Sequence, residues 1–185
     1  MRVLGISGSL RRDSHNTKLL RAAGALLPPG AELELWEGLK AVPPYDADDD
    51  EGLESRPESL RSLAEAIAGA DVVLFSTPEY NHSLPGQLKN ALDWLSRPLA
   101  SSPLRDKPVG VVGASTGLFG AVWAQAEVRK VLAAIGADVV DRELPVMQAH
   151  ARFDEYGNLR EEDLRGQLAE HVAALVEAAS EKVAA

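Results

Sequence analysis

The sequence predicts an α/β fold, a doubly wound parallel sheet of five strands with helices on both faces. Short apolar runs alternate with stretches of helical period along the chain, and strands joined through helices must run parallel and be covered on both sides. Three loops of unusual composition, residues 7–17, 78–85 and 114–120, follow the first, third and fourth strands. With the strand order 2-1-3-4-5 they surround the point where the order reverses, which is where such sheets take their ligands. At 185 residues the chain is expected to form a single domain over 1–185, long enough to bury a sizeable core.

Val3, Leu4 and Ile6, ahead of Gly8, suit a first strand buried on both faces. Leu19, Leu20, Ala23, Leu26 and Leu27 then recur at helical spacing until Pro28, Pro29 and Gly30 stop the helix. In the second strand, residues 32–36, Leu33 and Leu35 alternate with Glu32, Glu34 and Trp36, as at an edge. Residues 37–57 show little periodicity, with Pro43, Pro44 and Tyr45 followed by an acidic run over 46–51 that reads as a solvated face rather than a metal site.

A second helix, from Glu58 to about Gly69, turns Leu60, Leu63, Ala64 and Ile67 inward. Residues 71–77, DVVLFST, make the strongest strand and belong at the centre of the sheet. PEYNHSLPG then leads into a helix at Pro85, a position that tolerates a missing N–H. Leu88, Ala91, Leu92 and Leu95 form its stripe, and Trp94 beside it serves either as core or as an interface anchor. The fourth strand, 109–112, ends in GASTGLFG; the next helix, from about Ala121 to Ile135, faces Val128, Val131, Leu132 and Ile135 inward and stops at Gly136. Residues 138–140 are the last strand, extended near 144–147, and a closing helix over 164–183 carries Leu168, Val172, Leu175 and Val176.

A net charge of -9 argues against nucleic acid, whose backbone is bound through clustered Lys and Arg. With no cysteine, thiolate nucleophiles, disulfides and Cys-based metal centres are absent, so any redox chemistry needs an organic cofactor or a non-thiolate metal site. His15, His82, His150 and His171 show no ligand spacing and are expected in solvated or capping roles; no metal site is expected. Met1 runs straight into a strand and no apolar stretch reaches membrane-spanning length, so a cytoplasmic protein is expected.

Residues 7–20, SGSLRRDSHNTKLL, carry the strongest chemical signal. Ser7, Gly8 and Ser9 allow a tight turn, Arg11 and Arg12 supply charge, and Ser14, Asn16 and Thr17 supply donors at a helix N-terminus, an arrangement that favours anions. Neither the dinucleotide fingerprint nor the P-loop is present, and the hydroxyl and arginine content suits a terminal phosphate monoester. An ordinary surface loop with Ser14 as helix cap explains the same residues.

Three segments together resemble the NADPH-dependent FMN reductases of flavodoxin-like fold, which include quinone, azo-dye and chromate reductases: GISGSLRRDSHNTKLL, TPEYNHSLPGQLKNALDWLSR and GASTGLFG. The resemblance implies that Ser9, Arg11, Ser14, Asn16 and Thr17 hold the FMN phosphate. It implies that Pro78, Glu79, Tyr80 and Asn81 line the isoalloxazine through backbone and side chain, and that Ser115 and Gly117 close its other edge. Where the family more often has a Gly-Gly pair, this chain has Gly120-Ala121.

The implied activity is an FMN-dependent NAD(P)H oxidoreductase, with NADPH or NADH as co-substrate. It passes hydride from nicotinamide to FMN and then to a quinone, azo compound, metal oxyanion or free flavin in a ping-pong cycle. No side chain is expected as an obligatory acid or base, because the flavin carries the chemistry. A flavodoxin-type electron carrier is the alternative, and a nicotinamide-binding protein without flavin is weakened by the missing glycine fingerprint, although Glu37 lies near the end of strand two. Family members are usually homodimers or homotetramers with the flavin near the subunit interface, and Trp94 and Tyr45 are the expected contacts.

Overall fold

The computed structural model describes residues 1–50, 52 and 54–184. Strands β1 (Arg2–Ser7), β2 (Glu32–Trp36), β3 (Val72–Thr77) and β4 (Pro108–Ala114) run parallel in the order β2-β1-β3-β4. Every residue of β3 and β4 is buried, whereas β2 at the edge alternates exposed and half-buried positions from Glu32 to Leu35 and ends on Trp36, which is half-buried rather than exposed with the glutamates. The fifth position holds two short pieces rather than one strand. β5 (Asp138–Val139) pairs with Pro108 and Val109, and β6 (Pro145–Val146) pairs with Gly113 and Ala114, making six strands among the described residues. Between them the Arg142 N–H bonds back to the Val140 carbonyl at 2.8 Å, a tight turn that lifts the exposed Asp141, Arg142 and Glu143 off β4.

Helices α1 (His15–Ala25) and α5 (Glu162–Ala184) cover one face, with Leu19, Leu20, Leu168, Val172 and Leu175 on Val3, Val72 and Leu74. Helices α2 (Glu58–Gly69), α3 (Gly86–Leu95) and α4 (Val122–Ile135) cover the other, over Leu4, Ile6, Val73, Phe75 and Val111. Consecutive strand residues thus feed opposite cores, as the pleat requires. The parallel order and two-sided cover are those of the flavodoxin-like fold.

Trp94 is a core residue, only 1% exposed, and not the interface anchor that the sequence allowed. The 37–57 connection folds back over α3 and buries it. The Trp94 indole donates to the Pro43 carbonyl at 3.0 Å, the half-buried Tyr45 ring meets it edge-on at 4.9 Å, and the Arg56 guanidinium lies 5.7 Å above it. Gln87 donates to the carbonyls of Leu39 and Val42, Asn90 donates to that of Pro43, and Asn90 accepts from the Tyr45 N–H. Positions 87, 90 and 94 share one stripe of the helix, so much of the QLKNALDW segment holds this connection rather than a ligand.

The connection is not structureless. It contains 3₁₀ turns at Leu39–Ala41 and Ala47–Asp49, the second capped by Asp46 through the Asp48 N–H. Within the acidic run, Asp50 makes a two-pronged pair with the buried Arg56 at 2.8 and 2.9 Å, and Arg56 also donates to the Arg97 carbonyl. Glu51 lies outside the described residues.

His171 is also in the core, 2% exposed, rather than solvated or capping. It sits on the face of α5 opposite Gly110, where its Nε2 is 3.0 Å from the place a Cβ would occupy. Neither ring nitrogen has a hydrogen-bond partner among the described residues. Burial, then Arg142 and Arg129, push its pKa down to about 4.

Candidate active site

The loops after β1, β3 and β4 gather at the carboxyl ends of these neighbouring strands. Gly8 brings the first into place: its N–H donates to the Ser76 carbonyl at 2.8 Å, and a Cβ there would stand 2.9 Å from Leu88. Ser14 is the N-cap of α1, accepting from the N–H groups of Asn16 and Thr17 at 3.1 and 3.3 Å. The Ser9 hydroxyl accepts from the Arg11 N–H, and the Arg11 side chain is exposed.

Asn16 faces inward. Its amide donates to the Ala114 carbonyl at 3.0 Å and accepts from the Ala114 N–H and the Ser76 hydroxyl at 3.0 and 2.9 Å. The side chain therefore ties α1 to the ends of β3 and β4, and its polar atoms are engaged inside the protein rather than offered to the loop.

The second loop turns at Asn81 and His82, whose φ of 53° and 60° give the left-handed pair required by a two-residue turn between Tyr80 and Ser83. Asn81 suits that conformation better than most side chains. The Glu79 carboxylate accepts from the N–H groups of Trp123 and Ala124, both at 3.1 Å, and so caps α4. Glu127 on α4 returns the contact, accepting from the Ser83 hydroxyl at 2.5 Å and the Leu84 N–H at 3.1 Å, and these two bonds hold its carboxyl below the usual range. With Glu79 committed to α4, the turn presents backbone and the Tyr80 ring to its surroundings.

The third loop is clipped to residues 146–149: Ser115 exchanges backbone bonds with Val146 and Ala149, and the Gly117 carbonyl accepts from Gln148. The Ser115 hydroxyl accepts from the Gly117 N–H at 3.1 Å. A Cβ on Gly120 would lie 2.5 Å from the Pro145 carbonyl carbon, so glycine is obligatory there. Ala121 is buried with φ 63°, the left-handed conformation a glycine adopts without strain. The chain therefore keeps a glycine-like backbone at Ala121, at a cost of about 1–2 kcal/mol.

Ser9, Arg11, Ser14 and Asn16 line one cleft of about 110 Å³ together with Pro78, Glu79, Tyr80 and Ser115. Thr17 lines an adjoining cavity instead, which Ser9 and Arg11 share with the cleft, and Asn81 and Gly117 line neither. His15, Ala114 and Thr116 also line the cleft. His15, expected in a solvated or capping role, stands between Ser14 and Asn16 and opens the helix. The His15 ring stacks on Phe153 at 6.0 Å, and burial, then Lys18 and Arg11, lower its pKa. Arg11 with the hydroxyls of Ser9, Ser14, Ser115 and Thr116 is a donor set without a free carboxylate, which fits the phosphate monoester of FMN.

The model of the NADPH-dependent FMN reductases matches residues 1–151. An NAD(P)H-dependent FMN reductase of Pseudomonas aeruginosa is 38% identical over 176 residues, covering 95% of this chain and 93% of its own length. A quinone reductase of Escherichia coli is 39% identical over 144 residues, covering 77% and 74%. A solved NAD(P)H:acceptor flavoenzyme from Paracoccus denitrificans superposes with a TM-score of 0.86 at 34% identity over 97% of both chains. The chain is an oxidoreductase and belongs to the NADPH-dependent FMN reductase family.

Proposed function

We propose that this FMN-dependent NAD(P)H oxidoreductase reduces quinones or similar planar electrophiles. The observation that carries the reading is the single cleft in which Arg11, three serines and the Pro78–Tyr80 backbone meet. Arg11, Ser9, Ser14 and the N-terminus of α1 hold the FMN phosphate, and Asn16 braces them from behind. Pro78, Glu79, Tyr80 and Asn81 line the ring from one side, Glu79 through its backbone; Ser115 and Gly117 line it from the other. When bound, FMN supplies the two-electron chemistry, taking hydride from the nicotinamide and giving it to the acceptor.

Leu118 and Phe119 are 66% and 59% exposed beside the cleft, and this apolar border suits a quinone or azo compound better than a metal oxyanion. The similarity to a quinone reductase supports the same choice. Such a reaction, fed by NAD(P)H, belongs in the cytoplasm, where that nucleotide pool is kept.

Anaerobic mixing of FMN-loaded protein with NADH and with NADPH tests the reading. Bleaching of the flavin, reversed by a soluble quinone, is the expected result; no bleaching by either nucleotide would assign the protein to the electron carriers. Arg11→Ala is expected to weaken FMN by about 1.5–3 kcal/mol, roughly 10- to 150-fold, while leaving riboflavin binding unchanged. A loss equal for both flavins, measured by fluorescence titration, would count against phosphate binding by Arg11.

With Trp94 buried, self-association is assigned to the exposed cluster of Phe119, Trp123 and His82, whose rings meet at 4.9 and 4.7 Å. A second copy of the chain covers this cluster next to the flavin cleft. Trp123→Glu is expected to release monomers in sedimentation, and an unchanged oligomer would sink the assignment.

A further inference from the structure

A second cavity, of about 290 Å³, opens at the carboxyl ends of β1 and β2; Ser9 and Arg11, which the flavin reading sets on the phosphate, form its near wall, and the remainder has no role in that reading. Trp36 and Leu39 give it an apolar wall, while Arg11, Arg12, Arg21 and Lys40 give it charge. Four cations gather here in a chain of net charge -9, against one lining carboxylate, Glu37. Arg21 holds Glu37 at 3.6 Å. Among the described residues Arg11, Arg12 and Lys40 have no carboxylate partner. Thr17 lines this cavity and not the flavin cleft.

The cavity adjoins the active site. Arg11 lines it, lines the flavin cleft, and lines a third space of about 270 Å³ that also borders Leu10 and Tyr80. Gln87 borders that third space and donates to the carbonyls of Leu39 and Val42, which fixes the wall of one space to that of the next. A ligand laid across Arg11 would reach from the flavin cleft past Tyr80 to the basic cavity. It would need an aromatic end for Trp36 and a dianion for the cations.

We propose that this cavity seats the adenosine 2′-phosphate end of NADPH, with Arg21 and Lys40 reading the phosphate that NADH lacks. The assignment rests on the nicotinamide-dependent reading above. Glu37 stands where a carboxylate accepts the ribose diol of NADH in dinucleotide-binding folds, but here Arg21 pairs with it and three further cations outweigh it. That balance favours the phosphorylated nucleotide.

Calorimetry on the FMN-loaded protein with adenosine 2′,5′-bisphosphate and with adenosine 5′-diphosphate tests it, since the two isomers differ in where the second phosphate sits. Wild type is expected to bind the 2′-phosphate isomer at least about tenfold more tightly, the scale of a charge-assisted hydrogen bond. Arg21→Gln and Lys40→Gln are each expected to remove most of that difference, to lower the preference for NADPH over NADH about tenfold, and to leave the FMN Kd in place. Equal binding of the isomers by wild type would overturn the proposal. So would a loss of FMN affinity in the variants, which would give the cavity to the flavin phosphate. Flavin bleaching by both nucleotides without isomer discrimination overturns this inference alone, whereas no bleaching by either overturns the reductase reading and this inference with it.

Discussion

Trp94→Ala is expected to cost about 3–5 kcal/mol of folding stability, a large share of what holds a domain together. The indole is enclosed by α3, Tyr45 and Arg56, and its N–H is bonded to Pro43. Alanine leaves a cavity, frees the Pro43 carbonyl from one of its two donors, and takes away the surface on which Arg56 lies. Trp94→Phe keeps most of the ring and is expected to cost only about 1–2 kcal/mol, mainly the lost hydrogen bond. Denaturant unfolding of both variants decides it. A cost below about 1 kcal/mol for alanine, with a changed oligomer in sedimentation, would return Trp94 to an interface.

The second large effect is in pH. His171 titrates near 4 in the folded protein and near the ordinary 6.5 when unfolded, so the unfolded chain binds more protons between those values. The folded state is therefore fully favoured above about pH 6.5 and loses about 3 kcal/mol as the pH falls to 4, at up to about 1.4 kcal/mol per unit. Carboxylates held by hydrogen bonds, such as Glu127 and Asp154, add their own loss in the carboxylate range. His171→Leu isolates the histidine: its stability, followed by urea unfolding, is expected to fall less steeply from pH 6.5 to 5 than that of wild type, the remaining slope coming from groups such as His15, whose pKa burial also lowers. Parallel curves for the two proteins would show that the buried ring is not the cause.

The elements read most securely from sequence are those whose environment is uniform. The DVVLFST run has one reading because it is buried on both faces, and Leu60, Leu63, Ala64 and Ile67 need only one helix and one sheet to explain them. That Ser9, Arg11, Ser14, Pro78 and Tyr80 would meet in one cleft was legible because each loop directly follows a strand, so topology alone brings them together. What escaped depends on partners distant in sequence. Trp94 is buried by a carbonyl 51 residues away, Asn16 is turned inward by one 98 residues away, and Glu79 is drawn to α4 by N–H groups 44 and 45 residues on. His171 sits in the core because Gly110 leaves room for it, and no periodicity of α5 records a glycine on β4.

The reach of Asn16 also sets an order of events during synthesis. The loop after β1 is made well before β4, but the side chain that holds it bonds to Ala114, so the loop lacks this tether until β4 has been made and docked. Such long loop closure is entropically expensive and slow. A ribosome that has made the β1–α1 loop therefore carries it without its inner brace, which arrives only when 98 further residues have followed.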